Sequence, residues 1–551
     1  MATHLTDGDS RLSFWLRVRE YAVPPSMIET ATARRLAGDW AGACAAAGVD
    51  VDLDLRSVAR AHGRALADRV RADLRRLAPD LLRWHMPRIA PDGWLRPGLT
   101  LALARYDTAG HGRERPVHLV VRTAPAWADA GQRISLALWD GSRGASGDEA
   151  GACRHPHPRP DRRFRLDLHR HLWDAHRADE LRVRCGADRL GPVGRLGPVS
   201  RLDPVDRLDG AGRAAGAGGA SAGGRGPEPY RNLLESLPPG RSCAVDRWAA
   251  EARILLRAEG RSAGAFTVRF GGRHRLVLEL LADADRNGDN GSVSGCGSVS
   301  GCGCGSGCGC GSIAECGSGS GCACGSGDDE DLGTSALRVA DAPGNGRASA
   351  LPVLPDAATW VLPDLELLRT GSLTADRLHP LVASALVPGH GAAGPYRAPD
   401  RTPSARLVEC RGARHRVGLV DGVLTPLDHD PAEIRREELL AALTGTPLPC
   451  LQVIDRAHRR PDDLAGIRER LGHGDVAGAL AVVEDLLGPG ALLRDGALRD
   501  ALEAAARRRV TYGLFRAGLA EPAPASGRSL PGPERPRGHR PHPRHATLHR
   551  P

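Results

Sequence analysis

The chain of 551 residues has a formal net charge of +9, and all 75 of its Lys-or-Arg positions are arginine, so lysine is absent. Without a titratable side-chain amine there can be no Walker-A phosphate loop, kinase-type lysine, Schiff-base chemistry or serine–lysine hydrolase. Aromatic residues make up 3% of the chain, too few for the stacking platforms that contribute roughly 1–3 kcal/mol per base in single-strand binders.

Alanine, glycine, arginine, leucine and proline dominate, and their GC-rich codons point to a high-GC bacterial genome. At about 150 residues per domain the length corresponds to three or four domains, and 41% hydrophobic content is enough to give several of them a core. No stretch reaches the roughly 18 consecutive apolar residues of a membrane span. Asp7 and Asp9 precede Arg11 where a leader would be basic and then apolar, so the expected location is the cytoplasm, without membrane contact.

The fold class expected is α+β, as a multi-module chain. Residues 10–187 read as a helical segment leading into an antiparallel sheet. Within it, 57–77 has the pattern of one amphipathic helix, with Ser57 as N-cap, Pro79 as stop, and Val58, Leu66, Val70, Leu74 and Leu77 on one face. Arg64 and Asp68 are spaced to pair, and His62 lies on the apolar stripe as a core histidine. Residues 99–106, 117–122 and 133–139 read as strands, and the alternation of Phe164, Leu166 and Leu168 predicts a fourth. Residues 188–228 read as a linker built on the hexads RLGPVG, RLGPVS and RLDPVD, whose recurring proline disfavours regular helix. Residues 229–283 form a small module with a helix at 245–258 and a hairpin around Gly271-Gly272. A Gly/Ser/Cys segment (284–335) and a Pro-rich connector (336–403) follow.

Residues 404–520 read as a β-meander followed by helices. Strands are expected at 406–411, 415–420 and 423–427, with a turn at Asp421-Gly422. Asp430 and Pro431 open a helix, and helical patterns recur at 462–471, 475–487 and 495–517. The string from Arg35 to Ala43 parallels that from Arg470 to Ala479, each reading as a helix end, a Gly-Asp turn and a newly capped helix. Residues 521–551 read as a disordered Arg/Pro/His tail.

Several groups invite a chemical reading. Eight of the 14 cysteines lie between Cys296 and Cys324, and Cys302, Cys304, Cys308, Cys310, Cys322 and Cys324 form Cys-x-Cys pairs suited to soft metals. Strict C-x₂-C spacing and histidine are missing there, and slippage among GGC, AGC and TGC codons yields the same alphabet, so low complexity is the preferred reading. Asp283, Asp285 and Asn287 open an EF-hand-like loop, but Ser294 stands where a bidentate glutamate is required. Asp50, Asp52 and Asp54 place three carboxylates on one side of an extended segment, as a solvated edge or a cation site. Gly389, Gly391 and Gly394 match a dinucleotide fingerprint only formally, because Pro395 prevents the helix it needs. His169, His171 and His176 cluster without an assignable carboxylate or nucleophile. No catalytic residue and no cofactor follows from these patterns.

The tail holds six arginines, Arg528 to Arg550, against Glu521 and Glu534, a surplus of four in the total of +9. Elsewhere both signs of charge intersperse. The sequence is therefore read as a non-catalytic cytoplasmic accessory or regulatory protein, acting through contacts with a protein partner it does not identify. One alternative is weak, salt-dependent nucleic-acid association through Arg535, Arg537, Arg540 and Arg544; another is an enzyme without a recognisable motif.

Overall fold

The computed structural model describes residues 7–107, 116–128, 132–141, 155–188, 242–271, 274–282, 337–340, 350–390, 406–410, 412–420, 423–444, 448–459, 463–488 and 490–519. It is a mixed α+β chain of several modules.

The N-terminal module opens with helices α1 (Asp7–Tyr21), α2 (Pro25–Leu36) and α3 (Trp40–Ala46), strand β1 (Val49–Val51), and helices α4 (Leu55–His62), α5 (Arg64–Arg76) and α6 (Pro79–His85). The helix expected over 57–77 is broken in two at Gly63, whose φ of 88° lies outside the helical range. Asp54, rather than Ser57, is the cap: its carboxylate accepts from the Ser57 N–H at 2.9 Å and the Arg56 N–H at 3.3 Å. Asp68 pairs with Arg71 instead of Arg64, and His62 ends α4 half-buried rather than within the core.

A short hairpin, β2 (Arg88–Ile89) and β3 (Trp94–Leu95), leads to β4 (Thr100–Tyr106), β5 (Val117–Thr123) and β6 (Ile134–Trp139). The sheet order is β1-β6-β5-β4. Its last three strands are antiparallel as expected, but β1 joins β6 in parallel, with Val49 opposite Ile134. The fourth strand is thus β1, and Phe164 to Leu168 meet the sheet through a single parallel bridge, Arg165 to Ala102 of β4, set between turns in which the N–H groups of Phe164 and Leu168 donate to Asp161 and Arg165 three residues back. Arg165 closes onto Asp167 at 2.8–3.1 Å, which favours the turn. Phe164 and Leu166 are buried, so the alternation marked a segment that packs on the sheet with one bridge in place of a full strand.

After α7 (Leu181–Arg184), a second core forms between α8 (Trp248–Ala258) and the antiparallel strands β7 (Gly264–Arg269), β8 (Arg275–Leu280) and β9 (Leu337–Val339). Trp248, Phe266 and Leu278 are fully enclosed in it. The segment 350–390 carries α9 (Asp356–Thr359), α10 (Pro363–Arg369) and α11 (Pro380–Leu386), and Leu365, Leu367, Val382 and Leu386 enter the first core beside Leu74, Leu82 and Trp84.

The C-terminal module comprises the expected meander, β10 (Arg406–Cys410), β11 (Ala413–Val420) and β12 (Val423–Pro426), then α12 (Pro431–Thr444), α13 (Pro449–Arg459), α14 (Leu464–His473), α15 (Val476–Leu487) and α16 (Ala497–Arg516). The sequence pattern did not mark α13, although Ile454 and Ala457 are buried from it. The two Gly-Asp turns match closely: Gly38 and Gly474 have φ of 77° and 88°, and Asp39 and Asp475 accept the N–H groups of Gly42 and Gly478 at 2.8 and 2.9 Å. The arginine equivalent to Arg470 is Arg34, since each pairs with the aspartate five residues on. No helix among the described residues is long and apolar enough to cross a membrane.

Candidate functional site

Of the groups singled out in the sequence, the cysteine tract with Cys302, Cys304, Cys308, Cys310, Cys322 and Cys324 lies outside the described residues, as do the EF-like loop, the glycines beyond His390, and Arg535, Arg537, Arg540 and Arg544 of the tail. The three aspartates are each engaged by protein groups. Asp50 receives Arg133 and the Tyr512 hydroxyl, Asp52 receives Arg516, and Asp54 caps α4. Burial pushes the Asp50 carboxyl up, but its hydrogen bonds from Arg133 and Tyr512 outweigh that and hold it below its ordinary range. Asp50 and Asp52 thus tie the sheet edge to α16 through Tyr512 and Arg516, Arg133 pairs with Asp50 from beside β6, and Asp54 serves its own helix.

His169 does have a carboxylate partner, which the sequence could not place. Glu251 of α8 lies 3.2 Å from His169 Nε2 and also takes Arg184 and Arg247 at 2.8 and 2.7 Å. Burial opposes its ionisation, but His169 and Arg184 reverse the balance and hold it well below the usual range. With two guanidinium groups and an imidazole on one enclosed carboxylate, the cluster joins α7, α8 and the turn at 169–172. A cleft of about 600 Å³ opens between 96–100 and 156–161, where Thr100 Oγ1 donates to the His157 carbonyl at 2.6 Å and prolines form much of the wall.

The convergence with the most distinctive chemistry lies at the base of the C-terminal meander. Cys410 ends β10, His429 stands in the turn between β12 and α12, and Cys450 occupies the first turn of α13. One donor atom from each lies within 4.8 Å of the other two. Cys450 Sγ is 3.6 Å from His429 Nε2. Both cysteines are fully buried, and the His429 side chain is 4% exposed. On its other side His429 Nδ1 faces Glu433 Oε2 at 3.6 Å, while Asp428 is held by the Arg416 N–H at 2.7 Å and its guanidinium at 2.8 Å. The His415 ring stacks on His429, with centroids 4.1 Å apart and planes 16° from parallel.

Two chemistries fit a thiol, an imidazole and a carboxylate in this order. An activated nucleophile needs an accessible thiol whose pKa is lowered. Here burial first, and the hydrogen-bonded neighbour Cys410 second, push the Cys450 thiol up to about 11. A buried, unactivated thiol with a second thiol beside it is a poor nucleophile and a good donor set for a soft cation. Cys410, His429 and Cys450 are about 20 residues apart along the chain and carry no local motif; the folding of the meander onto α13 brings them together. The local cues were the element ends on which they sit, such as the Asp430-Pro431 helix start just after His429.

No protein-family description, curated protein or solved structure matches the chain.

Proposed function

We propose that this is a non-catalytic accessory or regulatory protein that works through protein–protein contacts, with α12 as its contact element. The observation that supports this is the apolar face of α12: Leu439, Leu440 and Leu443 are 68%, 49% and 85% exposed. Leucines at i, i+1 and i+4 line one side of a helix, the spacing by which a helix docks in an apolar groove of another protein. Arg435, Arg436 and Glu438 are exposed beside them, so the helix offers both signs of charge around an apolar stripe. The partner that fits is a protein with an apolar groove and a mixed-charge rim.

A photocrosslinking residue placed at position 443 of the full chain in its native host should give an adduct with one defined protein. Binding of that protein, once purified, should fall at least tenfold in L439D/L443D while the circular dichroism of the chain is unchanged. Binding unaffected by the double substitution would overturn the reading. So would an adduct consisting solely of two copies of this chain.

A further inference from the structure

We propose that Cys410, His429 and Cys450, completed by His415, form a Cys₂His₂ site for Zn²⁺ that ties the meander to α13. The site does not depend on what α12 contacts.

With Zn–S near 2.3 Å and Zn–N near 2.0–2.1 Å, two donors on a tetrahedral ion are about 3.6 Å apart for sulfur and nitrogen. The separation of Cys450 Sγ from His429 Nε2 is 3.6 Å, and the Cys410 donor is within 4.8 Å of both. Two thiolates and imidazole nitrogen favour Zn²⁺ over hard cations such as Mg²⁺ or Ca²⁺, which take oxygen. Glu433 behind His429 Nδ1 is in the position of the carboxylate that commonly orients a metal-bound imidazole and fixes which nitrogen faces the ion.

The fourth ligand follows from the sheet. In the β10–β11 register Cys410 faces Ala413 and Val408 faces His415. Cys410 and Val408 are both buried, as is Val417 two residues beyond His415, so His415 shares the inward face and lies diagonal to Cys410. Diagonal cross-strand neighbours are within reach of long side chains. His415 Nδ1 is buried without a hydrogen-bond partner, an unfavourable state for a polar atom that ligation would relieve. Ligation by His415 requires its ring to turn out of its stack on His429.

The balance is simple. Two neutral thiols each release a proton as Zn²⁺ binds, and the two imidazoles bind neutral, so Zn²⁺ with two thiolates leaves a site with no net charge. That suits an enclosed position, where an uncompensated charge is costly. Since the ligands come from β10, β11, the turn before α12, and α13, the ion would crosslink four pieces of the module.

The test uses the full chain, purified without chelator. Zinc content should exceed that of C410S/C450S by one equivalent, a comparison that cancels any metal on the cysteine tract. Cobalt should give the visible absorption of a tetrahedral thiolate site, and H415A should weaken zinc in competition with a chelator by at least roughly tenfold. In case the double variant misfolds, alkylation of the wild-type chain, read peptide by peptide, should be slower at Cys410 and Cys450 with zinc than after chelation, because the ion suppresses the local opening through which a reagent reaches these buried thiols. Equal zinc in wild type and C410S/C450S, or alkylation at these cysteines indifferent to chelation, overturns the site. Unchanged affinity and cobalt spectrum in H415A overturn the assignment of the fourth ligand alone.

Discussion

At Gly478 a β-carbon would stand 2.1 Å from the carboxylate of Asp475, and at Gly42 the same distance from that of Asp39. Each aspartate caps the helix it opens by accepting the N–H of that glycine, so the cap occupies the space a side chain would need. The preceding glycines, at φ 77° and 88°, end the previous helix in a conformation that costs other residues roughly 1–2 kcal/mol. The pattern Gly-Asp-x-x-Gly is thus fully accounted for at both sites, and most of it could be read from the sequence because every contact is local. Asp475→Ala should lower stability to urea by about 1 kcal/mol, with an upper range near 2. Asp475→Asn, which keeps the acceptor, should lose much less. If both lose equally, the ion pair of Arg470 with Asp475 at 2.9 Å, and not the cap, is the stabilising part. Asp50 and Asp52 show the opposite case: their partners Tyr512 and Arg516 arrive from the last helix, so the three-carboxylate pattern could not reveal that they were already paired.

Short helices were hidden for a different reason. Pro355 precedes α9, and Pro363 and Pro380 are the first residues of α10 and α11, so the prolines that make 336–403 look like a connector also start helices. These helices have 4, 7 and 7 residues, too few turns for an apolar period to show. Their role is visible in the contact between α10 and α1. Asp364 accepts from Arg19 at 2.7 and 2.8 Å and from the Trp84 indole at 3.2 Å, and Arg19 also lies 4.3 Å over the Trp84 ring. Arg19 and Asp364 side chains are 3% and 0% exposed. Asp364→Ala strands a buried guanidinium and should cost about 3–5 kcal/mol, whereas replacing both partners by apolar residues of similar volume should cost far less. Denaturant unfolding of D364A and R19M/D364L compares them. A double variant no more stable than D364A would mean that the pair contributes through packing around Trp84 and not through paired charge.

Across the whole molecule, arginine is the only long cation, and it is used where one side chain must satisfy several acceptors. Arg83, 1% exposed, donates to the carbonyls of Ala22 at 3.0 Å and His473 at 2.8 Å, and to that of Gln132. It thereby fastens the end of α14 to the N-terminal module, a task for a forked donor that an ammonium could not perform in the same way. The +9 charge says little of this, because these guanidinium groups are spent inside the fold. The seam also makes the protein sensitive to acid. His473 is 1% exposed, stacks on Tyr21, and is pushed down to about 3 by burial and then by Arg88, Arg83 and Arg17, with Glu469 at 3.7 Å as the nearby carboxylate. His85 is pushed down to about 4, mainly by burial. A folded-state pKa below the unfolded value near 6.5 means that the neutral ring stabilises the fold fully above pH 6.5 and that this contribution is lost as pH falls toward 4 and then 3. At pH 5 each ring should cost roughly 2 kcal/mol relative to pH 7. His473→Gln, compared with wild type by denaturant unfolding at both pH values, should lose about 2 kcal/mol less on acidification. Limited proteolysis at pH 5 should release the C-terminal module faster from wild type than from the variant. An identical loss of stability in both would show that the seam does not sense the proton through His473.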